Sequence, residues 1–173
     1  MAGSLIKIDE EIVTSAVASV SLLGIDSTYD VYMVRINNMI PTTDGALAVF
    51  RVTESGTPNT TSNYDRASVL LRTDSIFAKF GTTNENLGYF GSSSGTAGNE
   101  SANGILYIFN ANNASEYTFF TREFTTRADG GSLRGAQGGN VFTSVSSVDG
   151  IQLFFTSGNI DTGSSFVLYG LKK

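Results

Sequence analysis

The sequence has no histidine, no cysteine and no tryptophan, and only two prolines among 173 residues. Without histidine there is no Ser-His-Asp triad, no imidazole general base and no imidazole metal ligand. Without cysteine no disulfide framework, thiol nucleophile or thiolate zinc site can form, and folding does not depend on an oxidising compartment. Neither a G-x-x-x-x-G-K-[ST] phosphate loop nor a G-x-G-x-x-G fingerprint occurs. Charged residues make up 16% of the chain, where about 25% is usual. Gly, Ser, Thr and Asn fill the gap, as they do in turn-rich β proteins.

The few charges exclude further classes. Net charge is −5, and Arg35, Arg51, Arg66, Arg72, Arg122, Arg127 and Arg134 are scattered, with only Lys172 and Lys173 adjacent. Phosphate-backbone binding needs clustered Lys and Arg, so neither nucleic acid nor an anionic membrane surface is an expected partner. No stretch approaches the ~20 apolar residues of a membrane helix. Met1–Ile6 lacks the basic region and apolar run of a signal peptide. Of the sixteen acids, Asp44, Glu54, Asp74, Glu85, Asp149 and Asp161 lie in or beside turns. None is marked as half of a glycosidase pair, which requires two carboxyls ~5–10 Å apart. No D-x-[DN]-x-[DN]-G calcium array is present, although Asp and Asn in Gly-rich loops leave a softer calcium site open. The expectation is a protein that is not an enzyme, with no catalytic, cofactor-binding or metal-binding residues and no cofactor.

Period-2 alternation is what the sequence does have. It predicts strands at Tyr29–Asn37, Ala46–Thr53, Ala67–Arg72, Ser75–Phe80, Gly104–Asn110, Glu116–Phe124, Gly150–Thr156 and Ser165–Leu171. Turn chemistry separates them at Thr43-Asp44-Gly45, Ser55–Asn59, Asn110–Ser115, Ser147–Gly150 and Asp161-Thr162-Gly163, where Asn, Asp and Gly tolerate positive φ. The stretch Asp9–Leu23 is too rich in Val and Ser for a convincing helix and reads as two extended pieces, Ser4–Ile12 and Ala18–Leu22. The sum is an all-β, single-domain chain, an antiparallel β-sandwich of jelly-roll type with roughly eight to ten strands. Residues 1–23 form an extended arm and the first strands, and residues 24–173 form the sandwich. Two segments, Gly91–Gly104 and Arg127–Asn140, are Gly-rich and polar and read as long loops.

Twelve Phe and seven Tyr carry the remaining information. Phe119-Phe120 and Phe154-Phe155 are adjacent, so each pair points to both faces of a strand. One member fills the core; the other meets a second layer, a loop or another subunit.

The chain also resembles a family. The residues that carry the likeness are Ser4–Ile8, Gly24–Tyr32 with its strand ending in Ile36-Asn37-Asn38, Ser62-Asn63-Tyr64, Tyr107–Asn110, Tyr117-Thr118-Phe119, Val148–Leu153, Ser157–Ile160 and the ending Phe166–Lys172. Together they resemble small virion proteins of tailed bacteriophages, notably cyanophages. The resemblance implies a structural β-sandwich in the virion, assembled in the host cytoplasm. A capsid decoration protein is the first expectation, and a tail-fibre or receptor-binding sandwich that recognises host glycan is the alternative. Expected partners are phage capsid or tail proteins and copies of the chain itself, a trimer before a dimer. The Ala2–Val20 segment is expected to add to a neighbour as an edge strand.

Overall fold

The structure is a computed structural model that describes residues 4–128 and 130–172. Alternating side chains produce thirteen strands and, among the described residues, no helix: β1 Leu5–Ile12, β2 Ser19–Leu23, β3 Val31–Met39, β4 Ala46–Glu54, β5 Thr57–Pro58, β6 Tyr64–Arg72, β7 Ala78–Glu85, β8 Gly88–Ser94, β9 Ala102–Phe109, β10 Thr118–Arg127, β11 Leu133–Phe142, β12 Gly150–Phe155 and β13 Ser165–Leu171. The alternation is cleanest in β10, where Thr118, Phe120, Arg122, Phe124 and Thr126 are buried and each residue between them is exposed.

All pairings are antiparallel and fall into two sheets. One sheet has eight strands in the order β1-β13-β3-β9-β10-β11-β6-β7; the other runs β2-β12-β4, with β8 and the two-residue β5 both on β4. Eight of the strands pair as nested couples: β1 with β13, β2 with β12, β3 with β9, and β4 with β8. Such nesting is the double Greek key of a jelly roll. The other four full-length strands are two excursions, β6–β7 between β4 and β8 and β10–β11 between β9 and β12. They hydrogen-bond to one another and extend the larger sheet past β9. We refer to the nested strands as the heart and to β10-β11-β6-β7 as the extension.

One continuous core lies between the sheets. Its members include Val34, Ile36, Leu106, Ile108, Phe166 and Leu168 from the heart side of the larger sheet, and Leu22, Ile151, Leu153, Ala48, Phe50 and Phe90 from the smaller. The extension bends toward β8 and adds Tyr64, Leu70, Phe120, Phe124 and Phe142. The rings meet edge-on or tilted, Phe50 on Phe120 at 4.8 Å and Phe90 on Phe124 at 5.2 Å between centroids. These offset geometries are the ones that aromatic quadrupoles favour. Tyr64 also accepts a hydrogen bond through its hydroxyl from the Val52 amide (3.0 Å) and donates one to the Asn59 carbonyl (3.2 Å). Burial pushes this phenol well above its ordinary pKa, so it stays a neutral donor.

Several sequence expectations change at this point. Gly91–Gly104 is not one long loop: β8 continues to Ser94, β9 begins at Ala102, and the connection is 95–101. Arg127–Asn140 is mostly strand, because β11 spans Leu133–Phe142 and is paired on both sides, with β10 and β6. The strand count is thirteen, not eight to ten. The expected strand at Ser75–Phe80 starts three residues late, at Ala78, and runs on to Glu85. Residues 4–23 form β1 and β2, both paired inside the chain, and Asp9 ties them together by accepting from the Leu23 amide at 2.8 Å. The expected arm is thus integral to both sheets at their edges; its first residues, Ala2 and Gly3, lie outside the described ones.

Candidate functional site

The extension is where the molecule departs from an apolar-inside, polar-outside pattern. In an antiparallel sheet, directly paired residues share a face, so register defines cross-strand rows. On the outer face one row reads Val31, Phe109, Phe119, Val141, Asp65 from β3 to β6. A second reads Lys7, Tyr169, Met33, Tyr107, Thr121, Gly139, Ala67, Gly81 from β1 to β7. Four consecutive members of the first row are apolar, and Phe119 is 47% exposed. Val69, on the Glu123 row, and Leu133, at the far end of β11, are exposed as well. The short side chains of the second row leave a shallow groove beside Phe119, about 610 Å³, lined also by Thr121, Gly139, Val141, Ala67 and Gly81. A third row, from β1 to β7, reads Glu10, Val167, Arg35, Ile105, Glu123, Gln137, Val69, Lys79, so its charges alternate in sign.

The two aromatic pairs meet different fates. Phe120 and Phe155 enter the core. Phe154 lies on the outside of the smaller sheet under the Arg51 guanidinium, 4.7 Å from its ring centroid. Phe119 receives no such cover.

The inner face of the extension is unusually polar. The row through the middle of β10 reads Leu168, Val34, Leu106, Arg122, Gly138, Ser68, Phe80. Three aliphatic residues on the heart side give way to an arginine followed by two of the smallest residues. Gly138 is required at its position: its φ is +151°, and a Cβ would stand 2.4 Å from the Ala67 carbonyl oxygen. Arg122 is 4% exposed, and its Nε and Nη1 have no hydrogen-bond partner. Arg66, from the next row, converges on the same space with its own Nε unpartnered. Its guanidinium lies 3.7 Å from the centroid of Tyr89 and 5.3 Å from that of Phe80. Among the described residues neither arginine ion-pairs with a carboxylate; the pairs present are Lys7–Glu10 and Arg72–Asp74. Burial, and then the nearby Arg66 charge, push Arg122 down to about 10. It therefore remains a cation at neutral pH. Burying an ion without a charged partner costs several kcal/mol.

The sequence showed these arginines as scattered, and the register of β6 through β11 to β10 brings two of them together. Their only sequence signal was position: each falls where alternation calls for an inward, apolar side chain. Of the turn acids, Asp149 accepts from Thr53 Oγ1 at 2.6 Å and the Gly56 amide at 2.7 Å, and Asp74 accepts two hydrogen bonds from Arg72. These are structural duties. Among the described residues no group of three or more acids gathers into a metal-binding arrangement.

The fold defines the chain as a jelly-roll β-sandwich with a four-stranded extension of its larger sheet. Compared with known protein families, curated proteins and solved structures, the chain matches none.

Proposed function

We propose that the protein is a structural component of a bacteriophage virion, in the first place a capsid decoration protein that works as a symmetric homo-oligomer. The observation that carries this reading is the outer face of the larger sheet where heart meets extension: Val31 and Phe109 of the heart and Phe119 and Val141 of the extension form a continuous apolar row beside a groove of small residues. Extended apolar surfaces on β-sheets are usually covered by a partner. The flanking charges are of both signs, Arg35 and Lys79 with Glu123 and Asp65, which suits a second copy of the same surface better than a uniformly basic or acidic partner. The resemblance to phage virion proteins supplies the setting. The assigned work needs no bond-making chemistry, which agrees with a sequence free of histidine and cysteine. Cryo-EM of capsids assembled with and without the chain tests the reading. Added density repeating on the capsid lattice is expected. Absence of such density, with the chain found at the tail tip instead, replaces decoration by the receptor-binding alternative. That alternative is favoured by one feature, the paired arginines on the inner face, which suit an acidic rather than a neutral glycan.

A further inference from the structure

The cavity beneath Arg122 is distinct from the outer face and independent of where in a particle the protein sits. It measures about 180 Å³ and is lined by Arg66, Arg122, Ser68, Ser92, Tyr89 and Phe80, with aliphatic wall from Leu47, Val69 and Leu70. A single water needs roughly 10–15 Å³ on this measure, so there is room for a ligand of several heavy atoms. The space exists because the positions beside Arg122 are small. Gly138 and Ser68 succeed it in its row, and Gly91 and Ala136 contribute to the lining. None of these reaches far enough to satisfy a guanidinium.

We propose that this cavity is a binding site for a small organic carboxylate. Two cations line one cavity whose lining contains no acid, so the missing partner is an anion. The Arg66 guanidinium lies against the Tyr89 ring with Phe80 close by, and its Nε has no hydrogen-bond partner. A carboxylate has two acceptor oxygens and can accept from unpartnered groups on both arginines, Nε of Arg66 and Nε or Nη1 of Arg122. The Ser68 and Ser92 side chains stand in the lining as further donors. The apolar lining from Leu47, Leu70 and Phe80 matches the carbon body that an organic acid carries and that sulfate or phosphate does not. Val69 and Phe80 are themselves substantially exposed, which gives the cavity an open rim.

The test uses the intact chain and glucuronate, a carboxylate on a sugar ring, with glucose, sulfate and sodium chloride at matched ionic strength as comparisons. A ligand that binds only the folded state raises the melting midpoint in a saturable way. Glucuronate is expected to do so, and to shift backbone amide resonances of β6, β8 and β10; glucose and chloride are not. Arg122→Met, which keeps volume and removes the buried charge, is expected to weaken glucuronate binding by at least about tenfold. Should that variant fail to fold, Arg66→Gln, on the more exposed arginine, is expected to lower the affinity in the same direction. Saturable binding of sulfate without glucuronate overturns the carboxylate assignment. No saturable response to either anion, or glucuronate binding that both variants leave unchanged, overturns the site.

Discussion

The heart and the extension of the larger sheet share a backbone ladder but differ in how consistently their inward positions are apolar. In the heart, β3, β9 and β13 send Val34, Ile36, Leu106, Ile108, Phe166 and Leu168 into the core. In the extension, the inward positions include Arg66, Arg122 and Asn140, while Phe119 and Val141 face out. Asn140 shows how a polar residue becomes affordable there. Its amide accepts from the Tyr89 N–H at 3.2 Å and donates to the Tyr89 carbonyl at 3.1 Å. These bonds serve β8 where its ladder with β4 shifts register. The inward face of the heart in this sheet is thus organised by apolar burial, and that of the extension by burial plus polar groups, two of them arginines. Additional strands laid beside a complete jelly roll are free to carry surfaces that the fold itself does not need.

That contrast can be broken by substitution. The largest effect is expected in the heart: Phe166→Ala opens a cavity at a fully buried position and should cost about 3–5 kcal/mol in chemical denaturation, with the whole molecule unfolding earlier. Gly138→Ala should cost about 2–3 kcal/mol, because its Cβ meets backbone and its positive φ is strained. Hydrogen exchange should locate that loss in β6, β7 and β11 while β3 and β13 keep their protection. Equal deprotection of both regions would mean that heart and extension are one cooperative unit and that the comparison has no energetic content. Tyr64→Phe leaves the Val52 amide and Asn59 carbonyl without their partner and should cost about 1–2 kcal/mol by the same denaturation measurement.

The smallest effect belongs to the exposed Arg72–Asp74 pair at the end of β6. The Arg72 guanidinium holds the Asp74 carboxyl below the ordinary carboxylate range. A carboxyl with a depressed folded pKa stabilises above its unfolded value, near 3.8, and loses that contribution as pH falls through the folded one. Asp74→Asn should therefore lower the midpoint slightly at neutral pH. The difference should vanish in strong acid; a difference that grows on acidification would reverse the assigned sign.

How far the sequence could be read follows composition rather than that division. The heart strands β3, β12 and β13 were legible because Tyr29–Asn37, Gly150–Thr156 and Ser165–Leu171 alternate with bulky apolar residues that have no use elsewhere. Of the extension, β6 and β10 were legible in the same way; β11, and β8 of the heart, were not, because Gly in both and Ser in β8 ordinarily signal loops. Glycine is needed there for space: a Cβ at Gly138 strikes Ala67, and one at Gly91 strikes the Phe124 ring at 2.4 Å. Local propensity cannot show such non-local crowding. Nor could it show that Arg66 and Arg122, distant in sequence, share a cavity, since that depends on the pairing of β11 with both β6 and β10.

Sedimentation velocity of the intact chain at micromolar concentration, beside Phe119→Asp, tests the account most directly. A charge at this exposed position should leave the fold intact, because surface substitutions usually change stability by no more than about 0.5 kcal/mol. It should also block burial of the apolar row. The account predicts an oligomer, a trimer first, that dissociates to monomers in the variant. A monomeric intact chain, or an oligomer that Phe119→Asp leaves unchanged, would contradict the claim that the apolar row through Phe119 on the outer face of the larger sheet is an interface between copies.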